Sequence, residues 1–188
     1  MRPLAQLDDH ECVARARRGE GKAFSELVAR YQDKVYRFLL QLTGSPGDAM
    51  DLTQDAFLRA YQNLDRWRPD ALFRTWLFRI ARNLAFDRLR RDKIVEFVAL
   101  DEQDDTPDHA AGPEQALATA QRVRLLESAL TRLSPEHREI ILLREIEGMS
   151  YDDIAAVLDL HPGTVKSRLA RARAALADLV RNPMENTP

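Results

Sequence analysis

Residues 150–173, SYDDIAAVLDLHPGTVKSRLARAR, decide the fold of the second half of the chain. Ser150 and Asp153 have the spacing of a capping box, in which a serine and an acidic residue three positions later start a helix. Pro162 suits the first position of another helix, because no backbone N–H is needed there. Since only residues 159–161 separate the two periodic segments, the stretch predicts a helix-turn-helix.

The helix that starts at Pro162 is predicted to have one apolar face and one face suited to DNA. At 100° per residue, its buried stripe consists of Val165, Leu169, Ala172 and Leu176. The opposite face and its edges carry small and cationic side chains, namely Thr164, Lys166, Ser167, Arg168, Ala170, Arg171 and Arg173. Ser167 and Arg171 are expected to reach base edges in the major groove, whereas the flanking cations are expected on phosphates. A solvated basic face on an ordinary helical hairpin is the alternative.

The first half of the chain also has helical periodicity. Apolar residues recur at spacings of three and four across residues 24–42, which predicts a long amphipathic helix that ends at residues 44–47. A second helix is predicted at residues 48–64. A third follows Pro69 and turns these residues inward: Trp76, Leu77, Ile80, Ala81 and Leu84. Together the three helices predict a compact domain at residues 23–93, after an N-terminal segment at residues 1–22.

The third predicted helix has an outer face whose composition suits single-stranded DNA. Cations, an amide and an aromatic ring recur there at helical spacing: Arg79, Arg82, Asn83, Phe86 and Arg90. Cations can follow a phosphate backbone, and an aromatic ring can stack on unpaired bases. Trp67 and Arg68, in the preceding loop, are predicted at the rim of a pocket for an extruded base, although Trp67 is also a candidate core residue.

The second predicted helix has an outer face of a different kind. Acidic and amide side chains surround one apolar residue there, and the set comprises Asp51, Gln54, Asp55, Leu58 and Gln62. A single exposed leucine carries little information by itself. Inside an acidic rim, however, it is typical of a surface that docks on a basic helical protein.

The net charge of −2 conceals a segregation of charge along the chain. Residues 94–121 contain no lysine or arginine but seven acidic residues, and arginine-rich stretches flank them. This composition, with Pro107, Gly112 and Pro113, cannot bury enough apolar surface to fold alone. We therefore predict an all-α chain of two small helical domains, with a flexible acidic linker at residues 94–118, a second domain at 119–182 and a tail at 183–188.

Composition excludes several classes of protein. Hydrophobic residues make up 45% and charged residues 31% of the chain, without a long apolar run, so a cytoplasmic protein is expected. Cys12 is the single cysteine, and neither it nor the four histidines have metal-ligand spacing, so neither a metal nor a cofactor is expected. The sequence has no glycine-rich phosphate loop, no paired catalytic carboxylates and no nucleophile elbow, so an enzyme is not expected.

Three stretches together resemble the extracytoplasmic-function sigma factors, a two-domain group of bacterial RNA polymerase sigma factors. Residues 130–176, LTRLSPEHREIILLREIEGMSYDDIAAVLDLHPGTVKSRLARARAAL, resemble the promoter-reading domain of that group. Residues 51–64, DLTQDAFLRAYQNL, and 73–91, FRTWLFRIARNLAFDRLRR, resemble its polymerase-binding and promoter-melting regions. The order and the separation of these stretches also match the group.

The resemblance implies a role for each surface. The helix at residues 51–62 would dock on a coiled coil of the largest polymerase subunit, and the second domain would contact the polymerase flap. Residues 66–91 would capture and melt the promoter element about 10 bases upstream of the start, and the second domain would bind the element about 35 bases upstream. The acidic linker would run toward the active-site and RNA-exit channels.

The resemblance also implies an inhibitor. Sigma factors of this group are commonly held inactive by a cognate anti-sigma factor, often anchored in the membrane. The chain would then be a monomer when free and would form a 1:1 complex with that inhibitor.

Two other functions are compatible with a helix-turn-helix. A conventional transcriptional regulator, acting without replacing the polymerase's own sigma factor, is expected to form dimers and to bind DNA tightly by itself. An adaptor that binds polymerase without reading DNA is expected to tolerate charge reversal at Arg171.

Overall fold

The computed structural model describes residues 3–96 and 114–182, with side chains for residues 3–92 and 123–182. Within these ranges the chain is helical and has no strand, which confirms the all-α prediction. Most of the predicted linker at residues 94–118, and the whole tail at 183–188, lie outside the described residues. The helices are α1 (Asp9–Arg17), α2 (Gly21–Thr43), α3 (Pro46–Gln62), α4 (Phe73–Glu96), α5 (Glu114–Arg132), α6 (Pro135–Ile141), α7 (Tyr151–Leu158) and α8 (Pro162–Arg181).

Helix α1 extends the first domain beyond the boundary predicted at residue 23. Asp8 caps α1 by accepting a hydrogen bond from the Glu11 N–H at 2.8 Å. The guanidinium of Arg30 on α2 fixes the preceding turn by donating to the Leu7 carbonyl at 2.7 Å. The helix packs on α2 through Cys12, Val13 and Ala16, which are buried. Three buried positions in a short polar helix give a weak periodic signal, so α1 was not predicted from the sequence.

Helix α2 supplies the centre of the first core. It packs against α3 and α4 through the buried residues Phe24, Leu27, Val35, Phe38, Leu39 and Leu42. Gly44 ends α2 in the left-handed region, at φ 71°, where glycine has no steric cost. Ser45 then caps α3 by accepting a hydrogen bond from the Asp48 N–H at 3.2 Å. Helix α3 therefore starts at Pro46, two residues before its predicted start.

The second domain contains the predicted helix-turn-helix. Ser150 accepts a hydrogen bond from the Asp153 N–H at 3.1 Å, which confirms the predicted cap of α7. Asp159 turns the chain in the left-handed region at φ 57°, and α8 begins at Pro162. The buried Val165 and Leu169 hold α8 against α6 and α7. Helix α6 continues directly into a π-helical turn, Leu142–Ile146.

Helix α5 begins at Glu114, inside the predicted linker. By their spacing, Val123, Leu126, Leu130 and Leu133 share one helical face. Leu130 and Leu133 are buried, whereas Val123 and Leu126 are 48% and 44% exposed. These two side chains line an open apolar groove together with residues of α2 and of the π-helical turn. A periodic stripe shows which residues share a face, and it does not show how far along the helix a partner covers that face.

The cap of α7 provides a test of the second domain's stability. Replacing Ser150 with Ala leaves the Asp153 N–H without its acceptor, so we expect the free energy of unfolding to fall by about 1 kcal/mol. Urea titration followed by circular dichroism measures this change. Ser25→Ala is the matched control, because the Ser25 hydroxyl is exposed and bonds only within its own helix, to the Gly21 carbonyl. Equal stability of the two variants would contradict the assigned cap.

Candidate nucleic-acid interface

Helix α8 presents a basic face to solvent. Val165, Leu169 and Ala172 are buried, whereas Leu176 is half-buried near the C-terminal end. Of the residues predicted to bind DNA, Arg168 is half-buried at one edge, and the others are exposed: Thr164, Lys166, Ser167, Ala170, Arg171 and Arg173. The structure therefore brings all seven to the solvent side of one helix, in the arrangement that a major groove requires.

One cation on this face has an acidic partner that the sequence did not indicate. The Arg173 guanidinium donates to Glu145, in the π-helical turn, with 3.0 Å between Nε and the carboxylate oxygen. This hydrogen bond raises the pKa of Arg173. Because the pair is about half exposed, solvent screens it and a phosphate can replace the carboxylate. The two residues are 28 positions apart, so no local motif could have predicted the pair.

The outer face of α4 carries the predicted cation, amide and aromatic set. Asn83 and Arg90 are exposed, and Phe86 is half-buried. The Arg82 guanidinium lies over the Phe86 ring, 4.2 Å from its centroid. In the loop before α4, Arg68 is exposed, and so is Leu72, an apolar residue that the composition did not single out.

Trp67 lies in the core, which corrects its predicted place at the rim of a base pocket. Its side chain is 3% exposed and packs edge-on against His10 and Phe73. The Arg17 guanidinium lies 5.6 Å from the centroid of the indole and donates to the Leu64 carbonyl at 2.7 Å. A ring held on several sides cannot stack on a base in this conformation. Instead, the buried side chain of Trp67 anchors the loop to the core.

Four residues of α4 make hydrogen bonds or ion pairs with the second domain, and together with their partners they form what we call the interdomain clasp. Arg82 donates two hydrogen bonds to Glu139, at 2.8 and 3.3 Å. The Thr75 hydroxyl donates to Asp153 at 2.8 Å, and Arg74 donates to the Glu147 carbonyl at 3.2 Å. A guanidinium nitrogen of Arg79 lies 3.6 Å from a carboxylate oxygen of Asp159. Two of the cations predicted to bind DNA, Arg79 and Arg82, are therefore paired with carboxylates of the other domain.

Burial and hydrogen bonding set the charge states of the acidic residues in this clasp. Glu139 is fully buried, and burial raises the pKa of its carboxyl against the opposing effect of Arg82. Burial also acts to raise the pKa of Asp153, but hydrogen bonds from Ser150 and Thr75 outweigh it, and the pKa lies below its usual value. Both carboxylates depend on donors from the first domain.

Arg138, next to Glu139, joins the same two domains through backbone carbonyls. Its buried guanidinium donates to Gln41 and Leu42 near the C-terminal end of α2, at 3.1 and 3.2 Å. It also donates to carbonyls of Leu130, Thr131 and Leu133 at the C-terminal end of α5. Unsatisfied carbonyls at a helix C-terminus carry partial negative charge, so one cation stabilises two helix ends.

The predicted protein-docking surface lies on the solvent side of α3. All five of its residues are exposed: Asp51, Gln54, Asp55, Leu58 and Gln62. Leu58 is 53% exposed, and two further apolar side chains on α3, Met50 and Tyr61, are exposed to a similar degree. Tyr61, three residues after Leu58 on the same helix, adds to the apolar centre beyond the one leucine that the sequence indicated. Asp48, near the start of α3, forms an ion pair with Arg88 of α4 at 2.9 Å. Its carboxylate is therefore less available to a docking partner than those of Asp51 and Asp55.

The described part of the chain lacks a metal-binding cluster and a membrane-spanning helix. No cluster of three or more His, Cys, Asp or Glu side chains there could hold a metal ion. No described helix is both long enough and apolar enough to cross a membrane.

Both domains match known sequence families. Residues 27–94 match Sigma-70 region 2, and residues 124–176 match Sigma-70 region 4. The chain is 37% identical over 183 residues to the ECF RNA polymerase sigma-E factor of Escherichia coli, covering 93% of this chain and 95% of that protein. It is 36% identical over 181 residues to the RNA polymerase sigma-H factor of Pseudomonas aeruginosa, covering 92% and 94% of the two chains.

Solved structures agree with these matches. CnrH, solved in complex with the cytosolic domain of CnrY, has 34% identity and a TM-score of 0.68, over 92% of this chain and 97% of that one. The sigma factor RpoE of Bartonella quintana, solved with the anti-sigma factor NepR, has 27% identity and a TM-score of 0.68, over 88% and 99%. With two family matches in order and relatives that align along almost the full chain, this protein belongs to the sigma-70 family of RNA polymerase sigma factors, in its extracytoplasmic-function group.

Proposed function

We propose that the chain directs core RNA polymerase to promoters through three separate surfaces: α8 reads the upstream element, α4 and its preceding loop separate the strands, and α3 docks on the polymerase. The exposed face of α8, inside a helix-turn-helix of the sigma-70 family, is the observation that carries this proposal. The chain acts by binding, and the polymerase performs the chemistry. It works in the cytoplasm, as a monomer when free, and needs no metal or cofactor.

Upstream reading depends on the difference between the centre and the edges of the α8 face. Ala170 gives the helix close access to the groove floor, and Ser167 and Arg171 lie beside it with hydrogen-bonding groups for base edges. Lys166, Arg168 and Arg173 at the edges bind phosphates and fix the position of the helix. The Glu145 partner of Arg173 is replaced by a phosphate when DNA binds.

Strand separation depends on α4 and the loop before it. Asn83, Phe86 and Arg90 contact unpaired bases and the backbone, together with Arg79, Arg82 and Arg68. Trp67 has a supporting role there, because its burial fixes the loop that carries Arg68.

Polymerase docking depends on α3. Its exposed carboxylates, Asp51 and Asp55, steer it to a basic helical surface, and Leu58 with its apolar neighbours forms the water-excluding centre. The coiled coil of the largest polymerase subunit fits this description, and the second domain contacts the flap. The relative solved with the anti-sigma factor NepR favours a cognate anti-sigma factor as a further partner.

A conventional regulator is not favoured. Such a protein would share only its helix-turn-helix with sigma factors, whereas this chain matches them across both domains.

Arg171→Ala tests base reading by α8. Losing a bidentate contact to guanine costs about 1–3 kcal/mol at one base position, so promoter preference should relax at that position. Run-off transcription with purified core polymerase on promoter variants measures the preference. Arg181→Ala removes the same charge from the last residue of α8 and should leave the preference unchanged. An unchanged preference in Arg171→Ala would exclude Arg171 as a base-reading residue.

Lys166→Ala tests the phosphate role of the edge. Because a phosphate contact carries no sequence information, binding to all promoters should weaken alike. The slope of the logarithm of the binding constant against the logarithm of the salt concentration should fall in magnitude by about 1. Filter binding of the polymerase holoenzyme between low and moderate salt measures both quantities. If Lys166→Ala weakened binding to only one promoter sequence, Lys166 would contact a base instead of a phosphate.

Leu58→Ala tests docking by α3. Removing an apolar side chain from the centre of an interface typically costs about 1–2 kcal/mol, so affinity for core polymerase should fall roughly five- to thirtyfold. Leu125→Ala removes a similarly exposed leucine from α5 and should have little effect. Competition binding to core polymerase measures affinity, and promoter preference of the saturated holoenzyme should not change. If Leu58→Ala changed promoter preference but left the affinity for core polymerase unchanged, the docking role would be contradicted.

A further inference from the structure

Arg17, the last residue of α1, holds the backbone that leads into the loop before α4. Its guanidinium donates to the Leu64 carbonyl from Nε at 3.1 Å and from Nη2 at 2.7 Å. Nη2 also donates to the Trp67 carbonyl. These two carbonyls lie at the two ends of a short 3₁₀ turn, Leu64–Arg66. One side chain of α1 therefore fixes the backbone on both sides of this turn.

The side chain of Trp67 does not fix its own orientation by hydrogen bonding. The indole is buried, and its Nε1–H finds no acceptor in the described part of the chain. The ring is held by packing and by the Arg17 guanidinium, whose carbon lies 5.6 Å from the ring centroid. Arg17 therefore supplies a directional restraint that the indole itself does not make.

The loop beyond Trp67 depends on restraints at its two ends. Residues 68–72 are all exposed, and within them the Ala71 N–H donates to the Arg68 carbonyl at 3.1 Å. At the C-terminal end of the loop, the buried Phe73 starts α4. At the N-terminal end, the restraint is Trp67 with Arg17. The position of Arg68, one residue after a carbonyl that Arg17 binds, follows from this anchor.

A loop that receives an extruded base binds better when it is ordered beforehand. A loop that becomes ordered only on binding loses affinity to that ordering, and a loosely held site discriminates less well among ligands. Hydrogen bonds from a charged donor to backbone carbonyls restrain a loop strongly, because they are about twice as strong as neutral ones. The contacts of Arg17 thus meet a requirement of base capture.

From these observations we propose that Arg17 is a positioning residue for strand separation: it holds the loop at residues 67–72 in the conformation that receives an unpaired base. This inference rests on the proposed role of that loop and of α4. Arg17 acts through the loop backbone and does not itself contact DNA. Helix α1, which precedes the Sigma-70 region 2 match at residues 27–94, thereby becomes part of the strand-separating site.

Two substitutions of Arg17 separate its geometry from its charge. Arg17→Ala removes the anchor. Arg17→Lys keeps the charge but replaces a planar fork of donors with a compact ammonium group, which does not reproduce the contacts to two carbonyls. Arg18→Ala is the matched control, since it removes the same charge from the next, exposed position. If charge alone mattered, Arg17→Lys would be normal and Arg18→Ala would be defective.

The first measurement follows the loop in the free, full-length chain. A spin label on Asp70→Cys, an exposed loop position, reports local motion, while the native Cys12 is buried and stays unlabelled. We expect the label to be most mobile in Arg17→Ala, intermediate in Arg17→Lys and unchanged in Arg18→Ala. Circular dichroism establishes that the helices of each variant are intact. If Arg17→Ala does not fold, normal mobility in Arg17→Lys would overturn the proposal.

The second measurement follows base preference in the holoenzyme. Run-off transcription is carried out with saturating core polymerase, on templates that vary one base at a time in the downstream and upstream promoter elements. In Arg17→Ala, preference at the base that the loop receives should fall roughly tenfold, as expected when hydrogen bonds from a charged group are lost. Preference at the upstream element and affinity for core polymerase should not change, whereas general damage to the first domain would lower that affinity.

Three outcomes separate this proposal from the proposed function. Unchanged label mobility in both Arg17 variants would overturn the anchor, even in a chain that supports promoter-specific transcription. Greater mobility with unchanged preference at the downstream element would overturn the positioning role. If the unsubstituted chain gives no promoter-specific transcription, the proposed function fails, while greater mobility in Arg17→Ala would still support the anchor.

Discussion

Two adjacent buried charges, Arg138 and Glu139, connect the domains of this chain. A buried charge is costly unless it is paired and hydrogen-bonded. Arg138 has hydrogen-bond partners in both domains, and Glu139 has its partner in the other domain. Arg138 satisfies carbonyls at the ends of α2 and α5, and Glu139 accepts from Arg82. The packed arrangement of the two domains therefore depends on a polar, directional set of contacts.

The polar contacts between the domains lie beside apolar ones. In the described part of the chain, the buried apolar side chains form one cluster that includes residues around α2 in the first domain and around α8 in the second. Helix α4 packs on α7, where the Thr75 hydroxyl donates to Asp153. The directional contacts therefore fix how the apolar surfaces of the two domains meet.

The sequence predicted those features that depend on local spacing. The cap at Ser150, the buried stripes of α2 and α8, and the exposed basic face of α8 all follow from periodicity and from residue types near helix ends. Family membership was also accessible, because the motifs of both domains occur in the expected order.

The features that the sequence did not predict depend on contacts between distant residues. Arg82 and Glu139 are 57 positions apart, and each looks like an ordinary surface charge in its own helix. Trp67 was ambiguous because an aromatic residue in a basic loop suits both a core and a base pocket, and only its contacts with His10 and Phe73 decide between them. Val123 and Leu126 follow the pattern of a buried face, yet α5 extends past the elements that would cover them.

The most direct test of the account is run-off transcription by purified core polymerase and this chain over a library with randomised promoter sequence. We expect transcripts from templates that share two blocks of preferred bases, about 25 base pairs apart, with the upstream block read by one α8 helix. Two symmetric half-sites one helical turn apart, or no selection of templates, would contradict it and would favour a dimeric regulator or an adaptor.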